Sequence, residues 1–264
     1  MAPAQLVVER DGPVTLLRMN NPQKLNALSP VLTGELIEAL EEAGADRTVR
    51  ALVLTGEGRG FCAGADLGTL EEPYRRGQRP SLSAFLREGY NRLIPAVAEA
   101  PQPVVAAVNG VAAGAGVSLA LACDLRVASE EASFTAAFSR IGLVPDSGAC
   151  YFLPRTLGRA RALEFALLSD RVDAQAALAM GLVNRVVPAE RLLEEAMALA
   201  RGLAELPTVA LALTRRLFDE AATLSLRETL EREARAQDRA AATRDHLEGV
   251  LAFLEKRPPS FTGE

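Results

Sequence analysis

VVAAVNGVAAGAGVSLALACDLRVA, residues 104–128, is the stretch that decides the fold. Val104–Val108 is a short unbroken apolar run that stops at Asn109-Gly110, as a strand buried on both faces does when a turn closes it. Small residues follow, then an apolar helix-like segment up to Cys123, then a second strand over Leu125–Ala128. Strand, glycine-bearing turn, helix and strand in that order argue for an α/β fold with parallel pairing. Upstream, Ala51–Thr55 repeats the pattern and ends at Gly56, leading into GEGRGFCAGADL (56–67). Ligands in such folds sit outside the carboxyl ends of the strands, where both glycine-bearing turns fall.

Farther out the punctuation is clear. Leu6–Arg10 and Val14–Met19 flank Asp11-Gly12, a hairpin signal. Ser29 before Pro30 predicts a helix start, with Leu32, Leu36, Ile37 and Leu40 following at helical spacing. The segment 71–81, EEPYRRGQRPS, reads as a mobile loop. From about Ala160 the pattern turns helical, over 159–169, 173–181, 188–205, 207–222 and 225–254. Leu226, Leu230 and Ala234 share one face of the last segment, which suits a surface or interface helix.

Composition narrows the classes. The chain has 264 residues, 49% hydrophobic and 24% charged, with net charge −5. It can bury a core without staples. No basic block points to nucleic acid. No apolar run reaches membrane-spanning length, since Gly114 and Gly116 break Val111–Cys123. The acidic N-terminal stretch lacks a signal-peptide core, so a cytoplasmic location is expected. Cys62, Cys123 and Cys150 form neither a disulfide framework nor a zinc pattern, and no metal is expected. The single histidine, His246, lies in a charged helical segment, and there is no tryptophan.

The turn over 109–116 leaves the main chain open to a ligand, and the first N–H groups of the helix behind it are unpaired. Such a turn can hold an oxyanion, but close helix–sheet packing alone would also account for its glycines. It is neither a P-loop nor a dinucleotide fingerprint. Asp146, in IGLVPDSGA (141–149), is an acid after an apolar run. By itself it reads as a Pro-Asp turn residue.

RGFCAGADL, AVNGVAAGAGVSLALACDLRVA and ASFTAAFSRIGLVPDSG occur in order, with NNPQKLNALS before them. After them come LPRTLGRARALEFALL, AMGLVNRVV and EGVLAFLEKRPPSF. Together these resemble the crotonase (enoyl-CoA hydratase/isomerase) superfamily over nearly the whole chain. VAAGAGVSLAL, IGLVPDSG and the ending most resemble its phenylacetate-pathway isomerases, which act on ring-1,2-epoxyphenylacetyl-CoA.

The resemblance implies a ββα spiral core over residues 1–195 and a C-terminal helical trimerisation region over 196–264. It implies an acyl-CoA thioester substrate, so that coenzyme A enters with the substrate and no cofactor stays bound. It implies a thioester enolate held by two main-chain N–H groups, those of Ala65 and Ala115. Lys24, Leu25 and Ala27, with Ala63, Asp66 and Leu67, match the parts that hold the CoA moiety. Phe253 and Lys256 match residues that reach CoA from a neighbouring subunit of a homotrimer or homohexamer.

Family hydratases use two glutamates; Ser118 and Phe138 stand in those places. Water addition needs both a base and an acid, so simple hydration loses its machinery. Asp146 matches an aspartate used by isomerases of the family, and one carboxylate suffices to move a proton from one carbon to another. Leu143 and Val144 are expected to raise its pKa by desolvation. Related aryl-CoA dehalogenases need a histidine and a tryptophan that this chain does not have in place. Three readings follow: an isomerase working through Asp146, a hydratase working through another group, and a non-catalytic acyl-CoA-binding protein.

Overall fold

The computed structural model describes residues 4–264. β1 (Leu6–Asp11) and β2 (Val14–Met19) form the expected antiparallel hairpin. β3 (Ala51–Gly56), β4 (Gly60–Cys62), β5 (Val104–Val108), β6 (Val111–Ala113), β7 (Leu125–Ser129), β8 (Ser133–Thr135), β9 (Val172–Asp173) and β10 (Arg185–Val187) follow. They sort into a six-stranded sheet, β1-β2-β3-β5-β7-β10, and a four-stranded sheet, β4-β6-β8-β9. From β2 onward the large sheet is parallel. In the small sheet β4, β6 and β8 are parallel and β9 is antiparallel.

Between β3 and β8 the chain visits the two sheets alternately. Each turn of this spiral gives one strand to the large sheet and one to the small sheet. Helices fill the returns: α1 (Pro30–Ala45), α2 (Glu71–Arg75), α3 (Leu82–Glu88), α4 (Tyr90–Ala98) and α5 (Ala115–Ala122). Then come α6 (Ala149–Leu157), α7 (Arg159–Leu168), α8 (Ala174–Ala179), α9 (Leu192–Ala204), α10 (Thr208–Ala221), α11 (Leu226–Ala241) and α12 (Arg244–Glu255).

The unbroken apolar strands have a simple cause. Successive strand side chains point to opposite faces, and here both faces are covered. Leu52, Leu54, Val104, Ala106 and Val108 join the core under α1, α4 and α5. Ala51, Val53, Val105 and Ala107 join a second core with Leu192, Ala196, Met197 and Ala200 of α9. A boundary at 195/196 therefore falls inside a helix that closes the sheet. The chain leaves the core between Ala204 and Thr208.

Local signals were followed closely at α1, where the Ser29 hydroxyl accepts from Leu32 N and Pro30 opens the helix. Two expectations are corrected. The loop at 71–81 contains α2, whose first turn carries Glu71 and Glu72 and whose last carries Arg75. Acids at the start and a base at the end suit the helix dipole. The segment 225–254 is two helices, because the Thr243 hydroxyl accepts from His246 N and begins α12 anew.

Two guanidiniums tie the C-terminal region to the core; Arg50 donates to Thr208 and to the carbonyls of Leu206 and Phe261. Arg215 on α10 donates to Asp124 and to the carbonyls of Ala98, Ala100 and Gln102. The tail returns onto α12, where buried Asp245 accepts from the amides of Thr262 and Gly263.

Candidate active site

The small sheet places the two glycine-bearing turns side by side. β4 and β6 pair in parallel, and Ala65 and Ala115 lie just past their carboxyl ends. A Cβ on Gly64 would lie 2.7 Å from Ala113 O and 3.3 Å from Ala115 N. Glycine at 64 thus allows the turns to touch. Gly114, with φ 51° and ψ −121°, adopts a backbone that suits glycine alone and sets Ala115 as the first residue of α5.

Both Ala65 and Ala115 have spare donors for definite reasons. Leu28 pairs with Ala65 as a parallel bridge. Its bonds go to the neighbours: Leu28 N donates to Gly64 O at 2.7 Å, and Asp66 N donates to Leu28 O at 3.4 Å. The Ala65 N–H therefore stands outside the ladder. The Ala115 N–H belongs to the first turn of α5, where no intrahelical acceptor exists. Among the described residues neither amide has a protein acceptor. Two adjacent unpaired N–H groups, one at a helix N-terminus, can stabilise a developing oxyanion.

Asp146 is held beside this pair through its main chain. Ser118, one turn along α5 from Ala115 and fully buried, donates its hydroxyl to Asp146 O at 3.2 Å. Ala149 N donates to the same oxygen at 2.9 Å. Ser147 and Gly148 are both left-handed, φ 52° and 81°, and turn the chain into α6. Ser147 Oγ donates to Asp146 Oδ1 at 2.8 Å. Burial holds the Asp146 carboxyl above its ordinary value, against the lowering effect of the Ser147 bond. The direction is as expected, but the source is corrected. Val144, 78% exposed, faces solvent and does not supply that burial.

Phe138 is buried, and its ring lies about 3.8 Å from where a Gly114 Cβ would be. It walls the oxyanion turn. Its position is fixed by the next residues: Ser139 Oγ pairs with Ser169 Oγ at 2.7 Å, and Arg140 donates to Ser169 O at 2.7 Å.

The residues matched to CoA binding divide into two groups. Lys24, Leu25, Ala27, Ala63, Asp66 and Leu67 meet in one corner. Ala63 N donates to Leu25 O at 2.9 Å, and Lys24 Nζ pairs with Asp66 Oδ2 at 2.7 Å. Asp66 also caps the turn Leu67–Leu70, accepting from Gly68 N. Phe253 and Lys256 stand apart on α12 and its cap, with Phe253 82% exposed. Cys62 lies under the first turn, and burial pushes its thiol up to about 12, so it is inert. Among the described residues no group of three or more His, Cys, Asp or Glu could hold a metal ion. A cavity of about 1110 Å³ lies between α4, α6 and α10, reaching Gly148 but none of Ala65, Ala115 or Asp146.

Tyr90 stands behind the first of the glycine-bearing turns. It is 2% exposed, edge-on to Phe85 at 5.2 Å, and its hydroxyl donates to Leu28 O at 3.0 Å. No local pattern links two residues 62 positions apart.

Alternating two-sheet architecture, paired main-chain donors and a carboxylate beside the second donor's helix agree with one family. The chain belongs to the enoyl-CoA hydratase/isomerase family, whose model matches residues 9–264. It is 43% identical over 252 residues to the 1,2-epoxyphenylacetyl-CoA isomerase of Escherichia coli K12, covering 95% of each chain. It is 36% identical over 260 residues to the 2,3-dehydroadipyl-CoA hydratase of the same organism, covering 98% of this chain and 99% of that one. The fold matches the crystal structure of an enoyl-CoA hydratase from Polaromonas sp. JS666 with TM-score 0.91 and 39% identity, over 97% and 99% of the two chains. The relatives thus include both an isomerase and a hydratase.

Proposed function

We propose that this protein is an acyl-CoA isomerase in which Asp146 shuttles the proton. The observation that carries the reading is the set of side chains around the Ala65 and Ala115 amides. Ser118 and Phe138 occupy the two places where hydratases of the family carry glutamate, and the Ser118 hydroxyl is engaged with Asp146 O. Asp66, the other nearby acid, is ion-paired with Lys24 and caps a turn, which makes it a poor base. Asp146 has no cationic partner among the described residues, and burial raises its pKa toward that of a useful base.

The reaction follows from these roles. The thioester oxygen lies between the two N–H groups. The Asp146 carboxylate takes a proton from the α-carbon, and the C–H electron pair passes into the thioester as an enolate. The resulting carboxylic acid returns the proton to the γ-carbon of a 3-enoyl-CoA, and the double bond moves to the 2-position. Ring-1,2-epoxyphenylacetyl-CoA is the favoured natural substrate class, supported by the 43% identity to the Escherichia coli isomerase. Lys24–Ala27 and Ala63–Leu67 hold the CoA moiety, with Phe253 and Lys256 reaching it from a neighbouring protomer of a trimer or hexamer.

The test compares a 3-enoyl-CoA, ring-epoxidised phenylacetyl-CoA and crotonyl-CoA at equal concentration. Isomerisation of the first two at kcat/KM at least about 100-fold above crotonyl-CoA hydration is expected, given the two missing glutamates. Hydration as fast as isomerisation would select the hydratase reading. Tight acyl-CoA binding without α-proton exchange into deuterated solvent would select the non-catalytic one.

A further inference from the structure

We infer that Tyr90 is a positioning residue for the oxyanion site: its hydroxyl fixes the Leu28 carbonyl, and Leu28 fixes the direction of the Ala65 N–H. This rests on the reading of Ala65 as an oxyanion donor.

The chain of contacts is short. Ala65 has no bond of its own to hold it, because its amide is the spare donor. Its orientation is set by Gly64 and Asp66, each bonded to Leu28, at 2.7 and 3.4 Å. The second bond is long. Leu28 lies between the CoA-corner residues and the start of α1, and is itself fully buried. Its carbonyl takes a second and shorter bond, 3.0 Å, from Tyr90 Oη. Tyr90 opens α4 and is wedged edge-on against Phe85, so the phenol comes from a rigid element. Mobility in Leu28 would swing the peptide planes on both sides of Ala65 together. A misplacement of about 1 Å at such a donor can cost roughly 100-fold in rate.

The phenol is also well kept as a donor. Burial first, then the neighbouring Cys62, Asp146 and Asp66, push its ionisation far above the ordinary value. The hydroxyl's own bond to Leu28 O sets it next to the residue bridged to Ala65. A neutral phenol there adds no charge that would compete with Asp146 for the substrate proton.

The test reads the oxyanion site directly. The wild type and Tyr90→Phe are saturated with hexanoyl-CoA carrying a 13C-labelled thioester carbonyl, and the infrared carbonyl stretch is compared with that of free ligand. The wild type is expected to shift the band to lower frequency; Tyr90→Phe is expected to lose a third or more of that shift. In turnover, kcat falls on the order of tenfold with KM within about threefold. That is less than the roughly 100-fold or more for outright loss of a donor. An unshifted band in the wild type overturns the oxyanion reading of Ala65. A full shift in Tyr90→Phe, beside a shifted wild type, overturns the role of Tyr90 alone. If Tyr90→Phe does not fold, 3-fluorotyrosine at the same position keeps the shape and donates more strongly. A band shift at least as large as in the wild type supports the inference, and a smaller one overturns it.

Discussion

Replacing Asp146 with Asn is the sharpest perturbation of the proposed chemistry, because the structure separates its side chain from its scaffolding. The bonds that hold the residue, from Ser118 Oγ and Ala149 N, both go to its main-chain oxygen. Among the described residues the side chain's one bond comes from Ser147 Oγ, and an asparagine oxygen can accept it. The variant should therefore keep its fold and lose only the base. A positioned acid–base group contributes roughly 100- to 10,000-fold, while the two main-chain donors, each worth about 3–4 kcal/mol in other enzymes, remain. The expected result is a fall in kcat of about 1,000-fold, with KM changed by less than about threefold. Solvent-deuterium exchange at the α-carbon, followed by NMR, should fall in parallel. Stability should move the other way. A carboxyl whose pKa is raised by folding lowers stability once ionised, so that deficit appears as pH rises and vanishes as pH falls below the unfolded value near 3.8. The Tm of Asp146→Asn should thus equal or exceed wild type at neutral pH, with the gap closing in acid. In the wild type, kcat/KM should rise with pH through a value above 3.8. An Asn variant retaining more than about a tenth of wild-type kcat would refute the reasoning, since a proton shuttle without its base has no such reserve.

Four further outcomes are expected. Gly116→Ala should abolish soluble folded protein, since its Cβ would overlap the Cys62 carbonyl; Gly34→Ala, inside α1 with nothing within 4 Å, should stabilise by about 0.5–1 kcal/mol in chemical denaturation. Arg215→Ala should lower stability by about 3–5 kcal/mol in the same assay, because it leaves the largely buried Asp124 without its guanidinium partner. If the proposed trimer or hexamer forms through α11, Leu226→Glu together with Leu230→Glu should shift light-scattering mass to smaller species, since these side chains are 77% and 55% exposed on a single chain.

The centre of the large sheet was legible because β3 and β5 are buried on both faces and end at Gly56 and at Asn109-Gly110. The small sheet was not. β4, β6 and β8 have three residues each, too few for a period, and the β4–β6 pairing joins segments about fifty residues apart. Yet this sheet brings Ala65 to Ala115. The glycines around them were visible, but the family resemblance, rather than local pattern, singled out the two amides. The break at Thr243 was missed because helical spacing continues across it, while a side-chain cap restarts the helix. Val144 was taken as shielding for Asp146 because it is apolar and adjacent, but the turn points it to solvent. Ser118 looked like the mere loss of a glutamate; the structure gives its hydroxyl a partner.

That last point bears on how one scaffold carries two chemistries. The donor pair depends on main-chain geometry: a parallel bridge to Leu28, a glycine at 114 and the start of α5. Any side chains that leave these intact keep the enolate site. The acid–base groups come from elsewhere, from the second turn of α5 and from the loop after β8. In this chain the α5 position has become a clamp. A fully buried serine ties the Asp146 loop to the same helix whose first amide is the donor. The proposed base and the proposed second donor are thereby both tied to α5, the one by the Ser118 bond and the other as its first residue. On the proposed reading, Ser118 supports the single-aspartate arrangement by holding the main chain of Asp146 to α5.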